Sequence, residues 1–244
     1  MEIYGKTDIG RKRRSNQDTF ALHRFDDRAV FALICDGMGG VSGGDVASET
    51  ARDIILSRVT DGYRPGMESN SVRNLLNTAI NAANIAIYEK AQKDPQYADM
   101  GTTADAVIIT ADTAHIVHVG DSRVYLLEGD RFEKITRDHS VVQELVEEGK
   151  ITEEQAEKHP DKNYITRALG IESPPKIDYI EIIFNRQSKL LLCTDGLTNQ
   201  CSADDIADIL DKHDAESACE VLVGRANESG GRDNITVVII ENND

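Results

Sequence analysis

Apolar positions along the chain follow two periods. Residues 29–35 (AVFALIC) form an unbroken apolar run that predicts a buried strand. Runs at 106–110, 114–119 and 123–127 predict three more, joined by short turns at 111–113 and 120–122. Connections this short require antiparallel pairing. A further strand at 131–135 follows across Glu128-Gly129-Asp130, a hairpin signal. Runs at 177–183, 189–194 and 235–240 complete the set. Helical spacing takes over elsewhere. Val46, Ala47, Thr50, Ala51, Ile54 and Ile55 share one stripe within 45–59. Val72, Leu75, Leu76, Ala79, Ile80, Ala83 and Ile87 share another within 72–91, and 203–212 and 216–226 read as helices by the same spacing. Strands in meanders, with helices inserted in pairs, predict antiparallel sheets covered by helices. Residues 138–170 break the pattern. They are polar, with short helical patterns at 141–148 and 152–158, and a segment this long between strands predicts a functional insertion.

Composition narrows the picture. A chain of 244 residues with 40% hydrophobic and 29% charged residues suits one large globular domain, 1–244. Asp plus Glu number 43 against 27 Lys plus Arg, a net charge of −16, so nucleic acid and anionic membrane are poor partners. Cys35, Cys193, Cys201 and Cys219 make no CxxC pair, and a reduced cytoplasmic compartment is expected. Residues 1–14 lack the apolar core of a secretory leader, and no apolar stretch is long enough to span a membrane.

The chemistry lies in where carboxylates fall. Asp36 and Asp195 each follow an apolar run and precede a glycine. Asp121 ends a third run, and Asp233 directly precedes the last. A carboxylate at the rim of a dry core is costly unless something compensates it. Oxygen-only ligation suits Mg²⁺ or Mn²⁺ better than Zn²⁺. Asp-Gly at a strand end also makes turns, so each site alone has that second reading. The dense basic run Arg11-Lys12-Arg13-Arg14 offers either a solvated edge or an arginine that grips phosphate with two hydrogen bonds.

RRSNQD (13–18), CDGMGG (35–40), MGTTA (100–104), HVGDSR (118–123), TRDHS (136–140), HPDKNYITRALG (159–170), LLLCTDGL (190–197) and GGRDNITVV (230–238) occur in this order. In these motifs the chain resembles the metal-dependent phosphatases of the protein phosphatase 2C type, in particular the bacterial serine/threonine branch. The resemblance covers about residues 7–240. It implies an α+β fold, an αββα sandwich of two antiparallel sheets packed face to face, with a flap at 138–170. It implies two Mn²⁺ or Mg²⁺ ions: Asp36 bridging them, the Gly37 carbonyl on one, Asp195 and Asp233 on the other. Asp121, sharing Asp195, would form a weaker third site. Asp18 and Asn234 would orient metal-bound waters, and Arg13 would hold the substrate phosphate. A bridging hydroxide would attack the phosphorus of phosphoserine or phosphothreonine in line. The partners implied are phosphorylated proteins and a bacterial Ser/Thr kinase whose action the enzyme reverses; the chain would be a monomer. The alternative is a silent pseudophosphatase, a binding module on the same fold.

Animal relatives carry a histidine, positioned as general acid, where this chain has Met38, and many bacterial relatives carry one where it has Val41, so a metal-bound water is the expected proton donor. Three other patterns are set aside. Cys219 to Arg225 spells C-x₅-R but lies on an apolar helical stripe. GMGGVSG (37–43) nearly spells a dinucleotide fingerprint, but no βαβ unit follows. His115 and His118 lie out of phase on one strand and cannot share a metal.

Overall fold

The computed structural model describes residues 1–243, without the side chains of 40–42 and 157, so the side chain of Val41 lies outside the described residues. One sheet runs β1 (Glu2–Asp8), β11 (Ile235–Glu241), β10 (Ser188–Cys193), β7 (Arg123–Glu128) and β8 (Arg131–Lys134). The other runs β2 (Asp18–Arg24), β3 (Ala29–Met38), β5 (Ala104–Thr110), β6 (Thr113–Val119) and β9 (Asp178–Ile183), with short β4 (Gly101–Thr102) on the end of β3. Every neighbouring pair is antiparallel.

The unbroken apolar runs arise because each inner strand serves two cores. On β3, Val30, Ala32 and Ile34 point between the sheets, while Phe31, Leu33 and Cys35 point outward. The inward set meets Val124, Leu126, Leu190, Leu192, Val238 and Ile240 of the opposite sheet. The outward set meets α1 (Gly40–Gly62) and α2 (Ser69–Lys93), through Ala47, Ala51, Ile55, Leu76, Ile80 and Ile87. Fully burying one such Leu, Ile or Phe contributes about 1.5–3 kcal/mol. On the far side, α6 (Ala203–Lys212) and α7 (Ala215–Glu228) press Ile206, Leu210, Cys219 and Leu222 onto the first sheet. The result is the expected αββα sandwich. Ser202 caps α6 by accepting from the Asp205 amide, and Asp214 caps α7 by accepting from Ser217.

Three features depart from the sequence reading. β1 and β2 were not expected, because both are half-buried and mix charge with apolar residues, so only pairing with β11 and β3 reveals them. The helix expected at 45–59 starts earlier, at Gly40. Its glycines serve close packing: a Cβ on Gly44 would lie 2.7 Å from both the Gln17 side chain and the Gly37 carbonyl. Finally, α5 (Asp195–Thr198) adds a single turn directly after β10.

Residues 138–170 leave the sheets, form α3 (Val141–Glu147) and α4 (Glu153–Glu157), and return beside β4. Both ends are tied down. The His139 amide donates to the Gly120 carbonyl (2.7 Å), and the Leu169 amide to that of Thr102 (2.9 Å).

Candidate active site

Asp18 begins β2 and stands directly opposite Asp36 of β3. Like charges in that position repel. The Thr194 and Thr236 hydroxyls each donate to Asp18 Oδ2 at 2.8 Å, while Oδ1 is buried with no hydrogen-bond partner among the described residues. The neighbouring backbone is fixed: the Asp36 amide donates to the Thr103 hydroxyl (2.9 Å), and the Gly37 amide to the Gln17 carbonyl (3.1 Å). Gly37 has no room for a side chain, since a Cβ would fall 2.0 Å from the Gly44 carbonyl oxygen.

Three further carboxylates reach the same cleft. Asp195 opens α5 and accepts from the Asn199 amide group at 3.0 Å. Asp121 leaves β6 through Gly120, whose φ of +120° favours glycine. Asp233 precedes β11, and its Oδ2 accepts from Arg13 Nη2 at 2.6 Å. Asn234 spends its side chain on the β1–β2 loop, donating to the Ile9 and Ser15 carbonyls and accepting from the Gln17 amide. It thereby holds the loop that carries Arg13. Gly196 lets α5 approach β11, because a Cβ there would lie 1.8 Å from the Asn234 carbonyl oxygen.

These residues line one cleft of about 510 Å³: Arg13, Asp36, Gly37, Asp121, Asp195, Asp233 and Asn234 are all on its wall. Burial, then the neighbouring carboxylates, holds Asp36 well above the ordinary carboxylate range. Burial likewise pushes Asp121 up to about 7 and Asp195 up to about 6, with Asp195 repelling Asp121 and Asp233 repelling Asp195. Asp18 is raised to about 7 by burial, against the pull of the Thr236 and Thr194 hydroxyls. The hydrogen bond that Arg13 donates to Asp233 holds its guanidinium above its usual value.

This donor set fits hard divalent cations. It is all oxygen, it concentrates negative charge, and it leaves a buried carboxylate oxygen unmatched. Among the described residues no three ligand-type side chains already close into a cage.

A family model described as Protein phosphatase 2C matches residues 7–233. The chain belongs to the protein phosphatase 2C family. It is 37% identical to "Serine/threonine phosphatase stp" of Listeria innocua, over 100% of this chain and 96% of that protein. The solved serine/threonine phosphatase of S. agalactiae superposes with a TM-score of 0.90 at 35% identity, covering 99% of both chains. The catalytic domain of serine threonine protein phosphatase PstP, solved in complex with 2 manganese ions, matches with a TM-score of 0.81 at 32% identity, over 98% of this chain and 96% of that one. The protein is thus a 2C-type serine/threonine protein phosphatase, and its substrates are phosphoproteins.

The 2C cleft also contains residues to which the sequence reading gave no role. Arg14, Ser15, Gln17, Thr103, Asn163 and Ile165 line it, the last two from the 138–170 segment. Thr194 and Thr236 were findable: each is a hydroxyl beside an aspartate or asparagine motif at the end of an apolar run. No histidine lines the cleft among the described residues. His118 is buried against Asp105, with Nδ1 2.5 Å from Oδ1, and His115 bonds Tyr179 instead. Cys219 is a core residue whose thiol burial pushes up to about 12, unlike a nucleophile. No helix among the described residues is long and apolar enough to cross a membrane.

Proposed function

We propose that one catalytic domain, 1–244, removes phosphate from phosphoserine and phosphothreonine with two divalent ions, Mn²⁺ or Mg²⁺. Asp36 would bridge them, assisted by the Gly37 carbonyl, Asp195 and Asp233, while Asp121 with Asp195 would hold a weaker third. The manganese in the PstP relative supports this reading. When bound, such ions supply an activated water for in-line attack on phosphorus and positive charge for the phosphate oxygens. The chain's own residues prepare that event. Arg13 leaves Asp233 and grips two phosphate oxygens. Asp18, held by Thr194 and Thr236, keeps one free oxygen to orient water. Asn234 keeps the Arg13 loop in place. With no histidine at hand, the leaving alkoxide takes its proton from water. The 138–170 segment acts as a flap beside the cleft. In the cell the enzyme would work as a cytoplasmic monomer, reversing the action of a bacterial Ser/Thr kinase; the serine/threonine phosphatase names of its bacterial relatives support the substrate class.

The observation that carries the reading is the convergence of Asp36, Asp121, Asp195 and Asp233 in one cleft, with Asp18 facing Asp36. Phosphate release from a phosphothreonine peptide with Mn²⁺, Mg²⁺ or a chelator tests it. Release should need the metal and fall at least about 100-fold in Asp36→Asn, which should keep its circular dichroism spectrum. Undiminished release in the chelator, or a fully active Asp36→Asn, would overturn it.

A further inference from the structure

The two rims of the cleft differ in chemistry. One is the β1–β2 loop, fastened to the 231–234 segment by the Arg11 amide on the Gly231 carbonyl (2.7 Å) and by the Asn234 side chain. It carries two adjacent arginines. Arg13 is committed to Asp233. Arg14 also lines the cleft, is exposed, and has no ion pair or side-chain hydrogen bond among the described residues. Met38, Asn163 and Ile165, which also line the cleft, carry no charge, and the neighbouring Lys162 directs its ammonium to Asn199 Oδ1 (3.4 Å). Behind Met38 the apolar surface continues. A methyl group on Gly101 would sit 3.0 Å from Met38 Cε and 3.3 Å from Ile171 Cδ1, and Ile171 is 46% exposed.

We propose that Arg14 is a specificity-determining residue, which selects phosphopeptides bearing an anionic side chain, a carboxylate or a second phosphate, on one side of the target residue. The inference rests on the phosphatase reading and adds to it a rule of substrate choice. A peptide with its phosphate on the cleft floor must leave over both rims. On the Arg14 side it meets a solvent-exposed guanidinium with no partner among the described residues, whose planar fork fits a carboxylate or phosphate. From Met38, Asn163 and Ile165 it meets no charge, and Lys162 is engaged with Asn199. Elsewhere the protein, at net charge −16, repels an acidic peptide, so any preference for acid must come from a local cation. An exposed arginine–carboxylate pair supports a discrimination of about threefold to fivefold, falling as salt rises.

The test uses one phosphothreonine peptide with Ala, Glu, Lys or a non-hydrolysable phosphonate analogue of phosphothreonine, placed on either side of the target. kcat/KM is measured with Mn²⁺ at low and high salt, for the native enzyme, Arg14→Gln and Arg14→Glu. Release from the all-Ala peptide reports the phosphatase reading itself; the Glu:Ala ratio reports Arg14. We expect the native enzyme to prefer Glu or the phosphonate on one side only, Arg14→Gln to bring that ratio to about one, and Arg14→Glu to favour Lys. Whichever anion gives the larger gain is the one Arg14 reads. A preference for acid that survives in Arg14→Gln, or equal rates for every flanking residue in the native enzyme, would overturn the proposal.

Discussion

Asp18 and Asp36 face each other across β2 and β3, and burial without a cation raises both above the ordinary carboxylate range. Two opposite effects follow from one substitution. Asp18→Asn keeps an oxygen for the Thr194 and Thr236 hydroxyls and removes a buried charge. In chelator it should therefore raise stability, by on the order of 1–3 kcal/mol at pH 7.5, read from urea unfolding. With Mn²⁺ it should slow phosphate release, because the oxygen free to orient water is lost. Unchanged stability in chelator would show that Asp18 is already compensated. Arg13→Ala tests the phosphate grip: the loss of a charge-assisted bond should cost about 1.5–3 kcal/mol in kcat/KM, roughly 10- to 100-fold. Gly196 is a purely steric requirement. Gly196→Ala forces a methyl against the Asn234 carbonyl and should destabilise by about 3 kcal/mol, measured as a lowered thermal midpoint.

At the scale of elements, what could be read from sequence was what local pattern encodes. β3, β10 and β11 were legible because each carries a run of consecutive apolar residues buried on both faces. β1 and β2 were not: Glu2, Lys6, Asp18, His23 and Arg24 break the pattern, and the burial of these strands comes from partners distant in sequence. The candidate site was legible at Asp36, Asp121, Asp195 and Asp233 because each sits where an apolar run meets a turn. The support was not, since the Thr194–Asp18–Thr236 contact spans some two hundred residues of chain. The start of the 138–170 segment was visible as the TRDHS motif and a length of polar sequence, but not the contacts that fasten it. In the structure Asp138 accepts from Arg123 Nε at 3.1 and 3.0 Å and from Nη2 at 2.6 Å, while His139 Nδ1 accepts from the Gly120 amide at 3.1 Å. These bonds bracket Asp121 on both sides. Asp138→Ala should leave the Arg123 charge unpaired, destabilise by about 2–3 kcal/mol, and speed amide exchange across 138–170. Exchange as slow as in the native chain would show that the segment is held by other contacts.

For the whole molecule, the clustered carboxylates set a pH dependence. Asp18 and Asp121 at about 7 and Asp195 at about 6 lie above their unfolded value of about 3.9. Their contribution is fully present below about pH 4 and is lost as pH rises through 6–7. His139 acts oppositely. Burial pushes it down to about 4, so its contribution is present above about 6.5 and fades as pH falls toward 4. The raised carboxylates, Asp36 among them, outweigh His139 and His115 between pH 5 and 7.5. The thermal midpoint in chelator should therefore fall from pH 5 to 7.5, and Mn²⁺ should raise it most at pH 7.5, where the carboxylates are free to bind. A metal-free protein that gains stability over that range would show that these groups are compensated without an ion. If the aspartates at the ends of buried strands form one metal centre, calorimetric titration of the chelator-stripped protein with Mn²⁺ will show it. Two tightly held ions per chain in the native protein, with at least one lost in Asp36→Asn, is the predicted result. A native chain that binds no ion, or an Asp36→Asn variant that titrates like the native one, would contradict it.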